Sequence, residues 1–264
     1  VDGTGTLHLW LRGVTTQEAL RARIIEDQMA YFALGVGVDS VTHLPWDHVE
    51  ADGTPARYTQ LTAIGFYLQI LNEVARGNLK NGMTREQALV EIQTVLNALD
   101  GMQSTGFNGL LYNFYDLPLA GGIQPRGGSL IAFGDNANLS QSIAVAIGIL
   151  ESLTNLSAQE LMLVADSIND AEAFLDGQAA GYTSFYNAGG GRFRATYDPA
   201  TAVFSGFLDR LANEFRSGVA FVVARFEPSS NAWRSAWNNL VIFTRNYRDQ
   251  FGNVVSILAP FDGS

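Results

Sequence analysis

The sequence contains no cysteine, which excludes disulfides, thiolate-ligated metal sites and cysteine nucleophiles. Basic residues are also scarce, with 16 Lys and Arg against 26 Asp and Glu, and the formal net charge is −10. A nucleic-acid-binding protein presents a basic face, so we expect no nucleic-acid partner. No apolar run reaches the ~20 residues that a membrane-spanning helix needs, so we expect no membrane span.

The sequence signatures of several enzyme classes are absent as well. The three histidines, His8, His43 and His48, do not form the HExxH pattern of zinc proteases. The chain has neither a GxSxG elbow nor a GxxxxGK[ST] phosphate loop. We therefore expect no metal and no cofactor, while a Ser-His-Asp triad stays open on residue count alone.

The two ends of the sequence suggest a part of something longer. Val1 is not an initiator Met and no signal peptide follows it, so we expect a processed or excised chain. The last residues, 260–264, resemble the middle of a motif. We expect a single domain over 1–264 that is an incomplete portion of a larger fold.

What the sequence does have is a large apolar fraction, 47% of 264 residues, which is enough to bury a sizeable core. Three helix starts carry a capping box, in which a hydroxyl is followed three residues later by Glu or Gln; they begin at Thr15, Thr84 and Ser157. Apolar residues then recur with helical spacing, as at Leu61, Ile64, Leu68 and Leu71. This pattern predicts seven helices, at 16–36, 57–76, 85–100, 136–153, 158–177, 200–224 and 231–245.

The loops between these helices alternate in length. Short polar loops occupy 77–83 and 154–156, whereas long loops rich in glycine and aromatic residues occupy 37–56, 101–135 and 178–199. Short strands are expected within the long loops, at 110–114 and 191–197, and at the tail, 254–259. We predict a mainly α fold, a toroid of helical hairpins whose long loops gather at one end and form the binding face.

The first candidate cluster lies in the loop at 45–53, which reads PWDHVEADG. Asp47 and Glu50 are three residues apart, so on a helical turn they would share one face, with Trp46 beside them. Glycoside hydrolases use paired carboxylates, one protonating the leaving oxygen and one activating water, and an aromatic ring stacks on the sugar. The alternative is a solvated loop that turns at Asp52.

Two more clusters follow along the chain. In the segment at 111–118, strand alternation would place Tyr112, Phe114 and Asp116 on one side and Asn113 and Tyr115 on the other. The alternative there is a half-buried strand whose aromatic rings pack on helices. In the segment at 133–140, the default role of Asp135 or Asn136 is to cap the helix that follows. A functional Asp at that helix N-terminus would be kept ionised by the helix dipole, which suits a base better than an acid.

Taken in order, these segments resemble the glucoamylase-like (α/α)6-barrel family, which includes β-1,2-glucanases and the glucan-processing domain of cyclic β-1,2-glucan synthases. The resemblance is strongest over 40–152. The segments that carry it are Trp46-Asp47, 58–65, Arg76-Gly77, 83–88, 109–116 and 133–139, with weaker matches at 214–218 and 259–263. The chain departs from the family at 135–138, DNAN, which lacks the glycine of the family's D-x-G-N element.

The resemblance implies part of an (α/α)6 barrel that hydrolyses or transfers glucan linkages without a metal. The implied acid and base are Asp47 and Glu50, while Asp116 and Asp135 line the sugar sites. The implied substrate-binding residues are Trp46, Arg57, Tyr112, Asn113, Phe114 and Tyr115. Catalytic carboxyl groups ~6.5–9.5 Å apart would favour inversion, and ~5–5.5 Å would favour retention.

Partner and location are expectations of the same kind. We expect a polysaccharide or oligosaccharide ligand, a second polypeptide that completes the barrel, and a bacterial protein that is secreted or periplasmic in preference to cytoplasmic. The competing hypothesis is a non-catalytic carbohydrate-binding or assembly module on the same toroid. A polysaccharide lyase is less favoured, because a lyase that acts on acidic sugars needs a basic cleft.

Overall fold

The computed structural model describes residues 16–117, 122–208, 216–228, 231–239 and 244–258. Helices dominate these residues, and small antiparallel sheets lie between them. The helices are α1 Gln17–Tyr31, α2 Leu61–Ala75, α3 Arg85–Gln103, α4 Phe133–Glu151, α5 Ala158–Gly177, α6 Ala179–Phe185, α7 Arg216–Phe226 and α8 Arg234–Asn238. The predicted mainly α class is confirmed.

Local capping explains where three of these helices begin. The hydroxyls of Thr84 and Ser157 accept hydrogen bonds from the third residue of α3 and α5, and the Gln87 and Glu160 side chains reach back, so both predicted capping boxes are confirmed. The start of α1 is capped by Thr16 instead of the predicted Thr15. In each case a side-chain oxygen satisfies a backbone N–H that has no partner within the helix.

Two helical hairpins stand side by side and form the scaffold. Helix α2 packs on α3, and α4 packs on α5, while α2 also packs on α4 and α3 on α5. Two hydrogen bonds show that α2 and α4 run parallel. In the first turns Thr62 Oγ1 donates to Asp135 Oδ1 at 3.0 Å, and two turns later Gln69 Nε2 donates to the Ser142 carbonyl at 2.8 Å. Helix α7 also packs on α4. The long loops at 37–56 and 101–135 lead into α2 and α4.

Short strands lie in the segments between these helices. The strands are β1 Tyr58–Gln60, β2 Phe114–Asp116, β3 Gln124–Pro125, β4 Ile131–Ala132, β5 Tyr186–Asn187, β6 Arg192–Asp198, β7 Val203–Phe207, β8 Thr244–Arg248 and β9 Val254–Leu258. Strands β1–β2–β3 form one antiparallel sheet, and β4, β5, β6 and β7 form another, with β6 between β4 and β5 and also paired with β7. Because β1 runs directly into α2 and β4 directly into α4, both sheets lie at the end where these two helices begin.

The core has two adjoining parts. The larger lies between the two hairpins, where all four positions of the predicted stripe on α2 (Leu61, Ile64, Leu68 and Leu71) are fully buried. The smaller surrounds Phe133 at the start of α4, whose ring contacts Tyr182, Phe185 and Phe193. The scaffold is thus held by apolar burial directly below the long loops.

Two predicted helices are wrong. The range 200–224 includes strand β7, because Asp198 Oδ1 and Oδ2 accept hydrogen bonds from Ala200 N and Thr201 Oγ1 and turn the chain back along β6. Among the described residues of that range, those from Arg216 onward are helical. Among the described residues of 231–245, Arg234–Asn238 forms α8, and the residues from Thr244 pair with β9. In both places a long-range strand pairing overrides the local helical pattern.

Other helix boundaries also differ from the prediction: α3 ends at Gln103 instead of 100, and α4 occupies Phe133–Glu151 instead of 136–153. The first predicted helix ends at Tyr31 instead of 36, because the chain turns at Gly35 with φ +79°. After this turn Gly37 packs on Tyr31 so closely that a side chain at Gly37 would overlap the Tyr31 carbonyl. The helix predicted at 57–76 begins only at Leu61, because Tyr58–Gln60 pairs with β2. The strands predicted at 191–197 and 254–259 are present with shifts of one residue, as β6 and β9.

Candidate functional site

The loop that carries the first carboxylates is closed on itself just before β1. The backbone N–H of Asp47 donates to the Tyr58 carbonyl at 2.8 Å, and the Ala56 N–H donates to the His48 carbonyl at 3.0 Å. Glu50 N–H closes the tip by donating to the Thr54 carbonyl at 2.9 Å. The segment is therefore a hairpin-like loop, and the expectation that Asp47 and Glu50 share a helical turn is wrong.

A histidine brings the two carboxylates together instead. His48 Nδ1 lies 2.9 Å from Asp47 Oδ2, and His48 Nε2 lies 3.2 Å from Glu50 Oε1. The Asp47 side chain is 19% exposed, whereas those of His48 and Glu50 are 47% and 63% exposed. We call Asp47, His48 and Glu50 the bridge. Asp47 is its less exposed end, and Glu50 is its exposed end.

The sheltered carboxylate is also held from β1. Tyr58 Oη donates to Asp47 Oδ2 at 3.1 Å, and the edge of the Tyr58 ring packs against Phe114 with the centroids 5.8 Å apart. The guanidinium of Arg126 lies 4.0 Å from the centre of the Tyr58 ring and donates to Asp116 Oδ1 at 3.0 Å. Asp116 faces Tyr58 across the strand pair, so one connected group of side chains contains three carboxylates.

The electrostatics follow from these contacts. Hydrogen bonds to Asp47 first, and to Glu50 second, raise the pKa of His48 above its ordinary value of 6.5. Partial burial raises the pKa of Tyr58, and the hydrogen bond to Asp47 adds to the rise. The pKa of Tyr31 is raised by burial and by the charge of Asp47. Both tyrosines therefore remain protonated at neutral pH.

Asp135 lies at the same end of the scaffold. The predicted capping role is wrong, because α4 begins two residues earlier at Phe133 and the Asp135 side chain accepts from Thr62 on α2. The neighbouring Asn136 is fully buried and holds the loop before β2. Its Oδ1 accepts from Leu111 N–H at 2.8 Å, and its Nδ2 donates to the Leu111 carbonyl at 2.9 Å.

The aromatic residues of the sequence prediction divide into buried and accessible ones. Trp46 is 8% exposed and Tyr115 is fully buried, with its hydroxyl accepting from Tyr112 N–H at 3.0 Å. Phe114 and Tyr112 are half-buried. The predicted alternation is present over β2, where Phe114 and Asp116 face away from the core and Tyr115 faces into it, whereas Tyr112 lies outside the strand and packs against the core. Phe114 and Tyr112 are therefore the accessible rings of this set, and Trp46 and Tyr115 belong to the core.

Two remaining candidates occupy less regular positions. Asn113 is half-buried and donates its backbone N–H to the Leu130 carbonyl at 2.8 Å. Arg57 is exposed in the left-handed region with φ +54°, and its carbonyl accepts from Leu117 N–H. The weaker sequence matches at Glu214 and Asp262 lie outside the described residues.

Three members of the site were not predicted from the sequence, namely His48, Tyr58 and Arg126. The DHxE spacing of 47–50 could have suggested the first, because a histidine between two carboxylates can bridge them. The other two could not be found from local sequence. Their contacts depend on the pairing of β1 with β2 and on the position of the segment after β3.

A buried polar network supports the loop that precedes Asp47. Glu91 on α3 is 5% exposed, and its two carboxylate oxygens contact His43 Nδ1 at 2.7 Å and Tyr67 Oη at 2.9 Å. His43 has φ +58°, a backbone conformation that few residues other than glycine adopt. These bonds fasten the loop at 37–46 to the scaffold, so the position of Asp47 depends on α2 and α3.

The described part of the chain offers neither a metal-binding cluster nor a membrane-spanning helix. No three His, Asp or Glu side chains there are grouped closely enough to hold a metal ion. No helix there has the length and apolarity needed to cross a membrane.

At the sequence level the chain has no match, neither to a protein-family model nor to a curated protein. Solved structures match its fold. An endo-β-1,2-glucanase from Talaromyces funiculosus in complex with sophorose superposes with a TM-score of 0.75 at 13% identity, covering 92% of this chain and 56% of that one. A Glu-to-Gln variant of that enzyme with β-1,2-glucan gives 0.75 at 12% identity, with the same coverage.

A bacterial structure gives a similar result. An endo-β-1,2-glucanase from Chitinophaga pinensis with sophorotriose and glucose has a TM-score of 0.62 at 15% identity, covering 92% of this chain and 56% of that one. This chain therefore spans little more than half the length of these enzymes. At such identities the likeness shows the fold alone, and it confirms the toroid of helical hairpins that the sequence predicts. The neighbours give no support for a second polypeptide.

Proposed function

We propose that this protein is a glycoside hydrolase, or a transglycosylase, that acts on a glucan. The observation that carries the proposal is the connected group of Asp47, His48, Glu50, Tyr58 and Asp116, which lies at the helix end where the long loops gather. The fold adds support, because glucan-acting hydrolases share it. A β-1,2-linked glucan is the first substrate to test, since the structural neighbours were solved with such sugars.

The catalytic roles of the carboxylates are assigned from their solvent exposure and their hydrogen bonds. We assign Asp47 as the base, because it is the least exposed carboxylate of the bridge and two donors hold its Oδ2 atom. In the reaction a base takes a proton from the water that attacks the anomeric carbon, while an acid protonates the departing oxygen. The acid is sought among Glu50, Asp116 and Asp135. Phe114 and Tyr112 offer ring faces or edges to the sugar.

The charge of the site bears on the choice of glycan. The bridge and its neighbours contain three carboxylates against the cations His48 and Arg126. An acidic polysaccharide would be repelled by the excess negative charge, so a neutral glucan suits the site better.

A second candidate function is a non-catalytic carbohydrate-binding module. It is favoured by one observation, namely that Asp47, Glu50 and Asp116 each already have a cationic partner. A module of this kind would bind glucan and release no product.

The test compares Asp47→Asn with Asp52→Asn. Asp52 lies on the same loop and its Oδ1 only accepts from Thr54 N–H, a bond that Asn preserves, so it is a matched control. We expect D47N to lose turnover of β-1,2-glucan by about 10²–10⁴-fold, the usual contribution of a general base, while Tm stays within ~2 °C and D52N stays active.

Each outcome of this test has a distinct meaning. Full activity in D47N contradicts the assignment of Asp47. Calorimetric binding of glucan oligosaccharides without product in the wild-type protein contradicts the hydrolase and favours the binding module. Where turnover is present, the anomeric configuration of the first product, followed by proton NMR, distinguishes inversion from retention.

A further inference from the structure

The two ring nitrogens of His48 face two different carboxylates. Ionised carboxylates only accept hydrogen bonds, and a neutral imidazole carries a single N–H. Both contacts, 2.9 Å to Asp47 and 3.2 Å to Glu50, are satisfied together only when the ring carries both protons. The geometry alone therefore requires an imidazolium between the two acids.

The bridge also determines how Asp47 is oriented. Every hydrogen bond described for its side chain, from His48 Nδ1 and from Tyr58 Oη, goes to the Oδ2 atom. This leaves Oδ1 as the atom that a water molecule or a sugar hydroxyl can approach. Two donors on one oxygen fix the plane of the carboxylate and thereby the direction of Oδ1.

The groups around His48 come from its own loop and from β1. Of the charged groups on the loop, Asp47 and Glu50 contact the imidazole, Asp52 accepts from Thr54 N–H, and Arg57 is exposed. The Tyr58 ring lies nearly perpendicular to the imidazole, with the two centroids 6.0 Å apart. The Arg126 guanidinium lies 4.0 Å from the centre of the Tyr58 ring and donates to Asp116, on strand β2. Loss of the imidazolium charge would leave Asp47 and Glu50 to repel each other.

We propose that His48 is a positioning residue, whose imidazolium holds Asp47 and Glu50 at a fixed separation and directs Asp47 Oδ1 toward the reacting water. This inference rests on the proposed function and extends it to a residue that never touches the substrate. It also makes the activity depend on the protonation of His48, in addition to the protonation of the acid carboxyl group.

The sign of that dependence follows from the bridge. The pKa of His48 is raised, chiefly by the hydrogen bond to Asp47, so the bridge is complete below the ordinary histidine range. It is lost as the pH rises through the raised value, because the ring then gives up one of its two protons. The activity therefore falls on the alkaline side, at a pH above 6.5.

The first arm of the test is independent of turnover. The chain has only three histidines, so their ring signals can be assigned by comparing the wild-type protein with His48→Gln. We expect the His48 signal to titrate at a pH above 6.5, with both ring nitrogens protonated below the pH of that transition. D47N should lower this pKa more than E50Q does, because Asp47 is the larger cause.

The second arm measures kcat and KM against pH on the glucan that the wild-type protein turns over. We expect H48Q to lower kcat about 10- to 100-fold, as a misplaced catalytic group does, with KM changed less than ~3-fold and with the alkaline limb shifted from its wild-type position to that of the acid carboxyl group alone. His48→Arg keeps the charge at every pH, so it should recover part of kcat and show the same shifted limb. D52N is the control that should retain the wild-type profile.

Three results would overturn the inference. A His48 pKa at or below 6.5 would mean that the bridge does not form in solution. An H48Q variant that retains the wild-type kcat and alkaline limb would show that His48 does not position Asp47. A wild-type protein that is inactive on every glucan refutes the proposed function and removes the catalytic role of His48 with it, whereas the first two results leave the hydrolase standing.

Discussion

Replacing Asn136 by Ala should reveal how strongly the site depends on one buried amide. Asn136 is fully buried at the start of α4 and makes three hydrogen bonds, from Leu111 N–H and to the carbonyls of Leu111 and Ala132, at 2.8, 2.9 and 2.8 Å. Leu111 is itself fully buried, so no water replaces these partners. The loop that carries Tyr112 and Phe114 begins at this point.

The magnitude can be worked from these contacts. Two buried backbone groups of Leu111 are left unpaired in N136A, each at about 1–3 kcal/mol. The higher helix propensity of alanine returns about 0.5 kcal/mol. We therefore expect the free energy of unfolding to fall by about 2–5 kcal/mol, a large share of the ~5–15 kcal/mol that a domain typically has.

Urea unfolding followed by tryptophan fluorescence measures this loss. With an m value of about 1–3 kcal/mol per M, the midpoint should fall by roughly 1 M or more, without a change in m. Asn97→Ala on the exposed face of α3 is the matched control and should stay within about 0.5 kcal/mol of the wild-type protein. An N136A midpoint equal to that of N97A would refute the argument that Asn136 fastens the loop.

Two further predictions concern the scaffold around the site. Gly109→Ala should lower Tm far more than Gly82→Ala. The two glycines have nearly the same φ, +85° and +86°, but only a side chain at Gly109 would overlap the Gly177 carbonyl. Equal shifts of the two variants in a thermal melt would contradict this explanation. Burial raises the pKa of Tyr115 to about 12, above the ordinary tyrosine pKa of 10.0 that it has in the unfolded chain. The buried neutral phenol therefore contributes fully to the free energy of unfolding below pH 10, and this contribution is lost as the pH rises toward 12. Unfolding free energies measured at pH 9 and pH 11 should show the decline, and Tyr115→Phe should reduce it.

The sequence predicted best those features that depend on neighbours along the chain. The capping boxes at Thr84 and Ser157 and the apolar stripe of α2 involve residues three or four positions apart, and all three are present in the structure. The alternation around Tyr115 was equally readable, because a strand has a period of two. The same local rules failed at 200–224, where pairing with β6 decided the conformation.

The site itself divides in the same way. The residues of the loop at 45–53 marked it as acidic and aromatic, and this much the sequence determined by itself. Only the tertiary structure decided which of these groups meet, since Tyr58 reaches Asp47 through the closure of the loop and Arg126 reaches Asp116 across the sheet. Trp46 shows the limit most plainly, because nothing in its local pattern distinguishes a ring exposed to sugar from the buried ring that long-range packing produced. Contacts between residues distant in sequence carry no period that a local pattern can reveal, and the geometry of this site is made of such contacts.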